Sequence, residues 1–87
     1  MSTTITVTVR YFASIREALG TGCETCSTAA ATLGALRDEL IARGGAAAQA
    51  LAHDKAVRMA HNQVLSDEAA LLAQGDEVAF FPPVTGG

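Results

Sequence analysis

From Thr4 to Phe12 the chain alternates. Ile5, Val7, Val9 and Tyr11 fall on one side of an extended backbone, and Thr4, Thr6, Thr8, Arg10 and Phe12 fall on the other. Alternation of this kind, rich in β-branched residues, predicts a half-buried strand. "SIREALG" then offers one or two helical turns, with Ser14 as a candidate cap and Gly20 as a stop. After the "GTG" turn, residues 22–28 predict a second, weaker strand that pairs back on the first. The period then changes. In "TLGALRDELIARGG", Leu33, Leu36, Leu40 and Ile41 make one apolar stripe at helical spacing. Thr32 caps its start, Arg43 suits its last turn, and Gly44-Gly45 supply a left-handed stop. "AAAQALAH" reads as a short helical continuation or a packed loop. "AVRMAHNQV" predicts a third strand, with Asn62-Gln63 turning the chain, and short helical or turn structure covers 67–74. A tight turn at "GDE" leads into a last strand, "EVAFF", which Pro82-Pro83 end because neither proline has an N–H to donate.

The order is strand, strand, helix, strand, strand, with the most strongly apolar strands first and last. Setting those two in the middle of one mixed sheet, with the main helix across a face, gives an α+β chain in a β-grasp (ubiquitin-like) arrangement. On this reading residues 1–83 form one domain and residues 84–87 a flexible tail. The sequence shows no internal repeat or linker.

Composition narrows the function classes. With 49% hydrophobic and 17% charged residues, the 87-residue chain can bury one small core. A formal charge of −3 argues against a nucleic-acid partner or an anionic membrane, both of which need clustered Lys and Arg. No apolar run approaches the roughly 18 residues of a membrane span, and the start has no secretory pattern. A cytoplasmic location is expected. Cys23 and Cys26 in "CETC" have a spacing that suggests redox or zinc chemistry, but no second Cys pair completes a zinc site. On a strand they project to opposite faces. We therefore read them as incidental, expect no metal site, and take His53 and His61 as ordinary surface or edge residues.

The last eight residues, "FFPPVTGG", hold two aromatics, two prolines and two glycines. At an average glycine usage of about 7%, Gly-Gly closes a random chain about once in 200 cases. "GDEVAFFPPVTGG" closely resembles the C-terminus of the ubiquitin-like sulfur carrier family to which the molybdopterin synthase small subunit belongs. "VRYFASIREALG" is similar to that family's first strand and following helical turn, and "VRMAHNQ" to its third strand. The middle of the chain carries little of the family's signature.

The resemblance implies a chemistry. An ATP-using adenylyltransferase or sulfurylase activates the terminal carboxylate, here that of Gly87, as an acyl-adenylate, and sulfur then replaces one oxygen. The thiocarboxylate enters a large subunit and gives its sulfur to a cyclic pyranopterin phosphate. The resemblance also implies a heterotetramer of two small and two large subunits, with no cofactor bound by this chain and no catalysis by it alone. The residues suit these demands. Gly87 offers no side chain to obstruct attack, and Gly86 lets the backbone run close to enzyme walls. Val84, Thr85, Gly86 and Gly87 span at most about 13–14 Å when extended. Pro82-Pro83 launch them in a restricted direction. Alternation makes Phe80 core and turns Phe81 outward with Glu77 and Ala79. Phe12, on the polar face of the first strand, would join Phe81 in an exposed aromatic patch of the kind that marks binding surfaces. Arg16 either pairs with a partner carboxylate or stays solvated. Two other readings share the Gly-Gly ending: the thiamine thiazole sulfur carrier and a ubiquitin-like modifier. The "FFPP" exit favours the molybdopterin branch. A plain interaction module with an inert tail remains the third class.

Overall fold

The computed structural model describes residues 4–83. Eight elements follow one another: β1 (Ile5–Tyr11), α1 (Ala13–Leu19), β2 (Cys23–Thr28), α2 (Leu33–Ala42), α3 (Gly45–Ala50), β3 (Arg58–His61), β4 (Val64–Ser66) and β5 (Glu77–Phe81). The strands form one mixed sheet in the order β2-β1-β5-β3-β4. β1 and β5 run parallel, and every other pair is antiparallel. The two most apolar strands are therefore neighbours in the middle, as the alternation predicts for a β-grasp fold.

The core forms where the inner face of this sheet meets α2. Val7, Val9, Tyr11, Val78 and Phe80 supply the sheet side, and Leu33, Leu36 and Leu40 supply the helix side. Leu51, just past α3, closes one end. Tyr11 and Phe80 stack with ring centroids 6.3 Å apart. Thr32 caps α2 as expected, its hydroxyl accepting from the Ala35 N–H at 3.1 Å. Gly44 and Gly45 take positive φ values of 77° and 60°, which glycine adopts without a Cβ penalty. "AAAQALAH" resolves into the short helix α3, and Ile41 is only half-buried.

Three expectations change. The cap of α1 is Phe12, not Ser14, because β1 runs straight into the helix and leaves Ser14 inside the first turn. The Phe12 carbonyl accepts from the Ile15 and Arg16 N–H groups, so the backbone does the capping. The sheet has five strands rather than four, since Val64–Ser66 continue beyond the Asn62-Gln63 turn and pair with β3. Ala79 shares the outer face with Phe81 but is buried, being a methyl group on the central strand with β1 and β3 on either side. Among the described residues, no helix is long and apolar enough to cross a membrane.

Candidate functional site

The parallel register of β1 and β5 sets Tyr11 beside Phe80. The next residues, Phe12 just past β1 and Phe81 at the end of β5, therefore sit side by side at the point where Pro82 and Pro83 carry the chain out of the sheet. Phe12 donates its N–H to the Phe80 carbonyl at 3.1 Å, which fixes this end of the two strands. The Phe12 ring is 44% exposed and Phe81 is half-buried, whereas Phe80 is fully buried. Alternation thus sorts the two strand phenylalanines as expected. Pro82 and Pro83 are half-buried at the exit. The expected tail residues Val84, Thr85, Gly86 and Gly87 lie outside the described residues.

Three arginines surround this exit. Arg10 sits opposite Ala79, Arg58 opposite Phe81, and Arg16 lies on α1. All three are exposed. The ion pairs among the described residues use Arg37, Arg43, His53 and His61, and none of these three arginines. Arg16 is laid across Gly22: a Cβ built there would come within 3.0 Å of its Nε. Arg10, Phe12, Arg16 and Cys23 then line one shallow pocket. A chain of net charge −3 therefore presents cations and an aromatic ring where its tail leaves. Reading the sequence alone missed Arg10 and Arg58 as members of this face. Arg10 was visible beside Phe12 on the polar side of β1, but Arg58 is brought to Phe81 only by the register of β3.

Behind the face, on the inner side, half-buried Glu24 on β2 joins that strand to β1 and to the end of α2. Its carboxylate accepts from the Tyr11 hydroxyl and from Arg43 Nη1, each at 2.8 Å, and the Cys26 thiol donates to it at 3.4 Å. Burial alone would raise the Glu24 carboxyl, but the bonds from Arg43, Tyr11 and Cys26 outweigh it and hold the group below the usual carboxylate range. Burial, with Glu24 as acceptor, pushes the Tyr11 phenol far above its ordinary value. Burial likewise raises the Cys26 thiol. Cys23 is exposed and Cys26 buried, on opposite sides of β2 and both free. No group of three metal-ligating side chains occurs among the described residues. Each histidine meets a carboxylate, His53 on the surface and His61 at the end of β3. His53 contacts Asp38 at 2.5 Å, and His61 contacts Asp76 at 2.5 Å.

The ThiS family model matches residues 9–87, which takes in the whole of this exit and most of the sheet. The chain belongs to the ThiS family. Within the family it is 42% identical over 81 residues to the molybdopterin synthase sulfur carrier subunit of Escherichia coli (strain K12), a match covering 93% of this chain and 99% of that protein. Solved structures agree on the fold. SAMP1 from Haloferax volcanii superposes with a TM-score of 0.73 at 26% identity, covering 94% of this chain and 99% of that one. The complex of subunits 1 and 2 of the molybdopterin-converting factor from Helicobacter pylori 26695 contains a chain matching at TM-score 0.64 and 28% identity. That match covers 95% of this chain and 100% of that one. The ubiquitin-like β-grasp fold read from the strand order is thus shared with these solved chains.

Proposed function

We propose that this chain is a sulfur carrier subunit of molybdopterin synthase, whose reactive group is the Gly87 carboxylate. The observation that carries the reading is the match to the E. coli sulfur carrier subunit, which spans 99% of that protein. A carboxylate is a poor electrophile. Attack of its oxygen on the α-phosphate of ATP, in an adenylyltransferase partner, would release pyrophosphate and leave an acyl-adenylate. A sulfur nucleophile then displaces AMP, and the product is a C-terminal thiocarboxylate. In the large subunit the thiocarboxylate sulfur passes to cyclic pyranopterin monophosphate and water restores the carboxylate. Two such transfers complete the dithiolene. The chain supplies the donor and its delivery; catalysis belongs to the partners, in the cytoplasm.

The exit geometry supports this division of labour. Phe12 and Phe81 give a docking partner apolar area, while Arg10, Arg16 and Arg58 favour a partner surface bearing carboxylates. Pro82 and Pro83 restrict the direction in which Val84 and Thr85 depart, so less conformational entropy is lost when the tail is taken up. Gly86 and Gly87 keep the reacting carbon unobstructed. The complex of subunits 1 and 2 from H. pylori is the precedent for a large-subunit partner. A heterotetramer of two small and two large subunits is the assembly we propose.

Intact mass after co-expression with an activating enzyme tests the reading. A carrier gains the mass of one oxygen replaced by sulfur, whereas larger lysine conjugates would identify a modifier instead. A second arm alters the tail. Deleting Gly87 shortens the reach by about 3.3–3.6 Å, and adding one residue turns the reactive carboxylate into an amide. Misplacing a reacting group by even about 1 Å can cost on the order of a hundredfold in rate. Both variants should fold normally and deliver no sulfur to the cyclic precursor. Wild-type turnover by an untrimmed extended variant would sink the proposal.

A further inference from the structure

The helical side of the molecule holds a second surface beside the exit. α1 packs against α3, and between them opens a groove of about 510 Å³. Its walls include Ala18, Ala46, Ala50, Lys55, Val57 and Pro82. The three alanines make the groove, because a larger side chain at any of them would project into the space. Ala18 and Ala46 are exposed, and Ala50 and Val57 are half-buried, so apolar walls face solvent. The rim is held in place. Arg37, itself buried, donates from Nε to the Leu51 carbonyl at 2.7 Å and from Nη2 to those of Ala52 at 2.8 Å and Lys55 at 3.4 Å. Lys55 belongs to no ion pair among the described residues.

What covers this groove follows from the reach of the tail, and the inference rests on the sulfur-carrier reading. Four residues past Pro83 extend at most about 13–14 Å. A sulfur on Gly87 therefore meets a reaction centre only if the body of the partner closes around Pro82 and Pro83. Phe81 belongs to the outer sheet face, and the next residue, Pro82, is one of the walls of this groove. A partner that takes the tail into a cleft meets both surfaces. We propose that the α1–α3 groove is a second docking site for the large subunit, which fills it with an apolar side chain flanked by a carboxylate that pairs with Lys55. The methyl-lined walls select an aliphatic or aromatic group, and Lys55 on the rim selects the acid.

Two substitutions test this in the full chain. Ala18→Trp fills the groove from an exposed helical position, and Lys55→Glu reverses the charge of the rim without touching the core. Each is titrated into purified large subunit by calorimetry, and each is also offered to the activating enzyme, with thiocarboxylate read by mass. The expected result is large-subunit binding weaker by at least about tenfold, the scale of one anchor residue. Unfolding temperature and thiocarboxylate formation should not change. Unaltered affinity in both variants overturns the groove proposal and leaves the carrier reading intact. Loss of activation with full large-subunit binding also overturns it, because the groove then belongs to the activating enzyme. A wild-type chain that gains no thiocarboxylate and binds no large subunit ends the carrier reading, and the groove proposal with it.

Discussion

Phe80 and Phe81 are neighbours in sequence on opposite faces of one strand, so truncating each reports on a different free energy. Phe80 is fully buried and stacks on Tyr11. Phe80→Ala should cost about 3–5 kcal/mol of folding stability, the usual range for a buried phenylalanine. Phe81 is half-buried at the exit, so Phe81→Ala should cost less in stability and about 2 kcal/mol or more in large-subunit binding. Thermal unfolding and calorimetry of both variants check the split; equal losses of stability would refute the face assignment. Ala13 carries another local signature. Its φ of 53° lies in the left-handed region, immediately after Phe12 and at the first position of α1. An L-residue pays roughly 1–2 kcal/mol there, and a β-branched one pays more. Unfolding temperatures should therefore fall in the order glycine, alanine, valine at this position, with Ala13→Val clearly below the wild type. A valine variant as stable as wild type would mean that the strain is absent. Nothing in "YFASI" announces that φ, because it arises from joining a strand end directly to a helix.

At the scale of elements, what repeats along the chain was legible and what depends on distant pairing was not. The α2 stripe and its Thr32 cap could be read from spacing, as could the buried side of β1. Thr32→Ala should lower stability by about 1 kcal/mol, measured by denaturant titration, through loss of the bond to the Ala35 N–H. β4 escaped because three residues, Val64 to Ser66, are too few to show a period, and only pairing with β3 defines them as a strand. Arg37 escaped for a related reason. It lies on α2 between the apolar Leu36 and Leu40 and would ordinarily be read as solvated. Its acceptors at Leu51, Ala52 and Lys55 come from a loop 14–18 residues away, and Glu68 from a turn 31 residues away. Glu68 is 45% exposed, so the ion pair adds little by itself. Arg37→Met should still destabilise, by about 1–3 kcal/mol for each buried carbonyl left without a donor. The site was legible in the same uneven way. Phe12 and Phe81 followed from alternation within their own strands, whereas Arg58 needed the sheet register.

At the scale of the whole molecule, two carboxylates, Asp76 and Glu24, tie separate elements together, and these ties predict a response to acid. Asp76 accepts from His61 and Asn62, while the Ala73 N–H donates to the same carboxylate; the His61 bond does most to hold it below its ordinary value of 3.8. It anchors the turn into β5 to the end of β3. Glu24, whose burial is outweighed by Arg43, Tyr11 and Cys26, is likewise held below its ordinary value of 4.5 and ties β2 to β1 and to the end of α2. A carboxyl whose folded-state pKa is depressed binds its proton more tightly when the chain unfolds. Its stabilising contribution is therefore complete above the unfolded value and is lost as the pH falls through the folded one. Asp76→Asn and Glu24→Gln remove the charge with little change of shape. Each variant should unfold at a lower temperature than wild type at neutral pH. Between about pH 5 and pH 2 the wild type should lose the advantage, so that the curves of unfolding temperature against pH converge at the acid end. Asp76 lies just before β5, at the opposite end of that strand from Phe81, so large-subunit affinity at neutral pH should be unaffected in folded Asp76→Asn. A gap between wild type and variant that stays constant across the acid range would show that these carboxylates are not depressed. The hydrogen bonds around His61 and Arg43 would then contribute geometry alone.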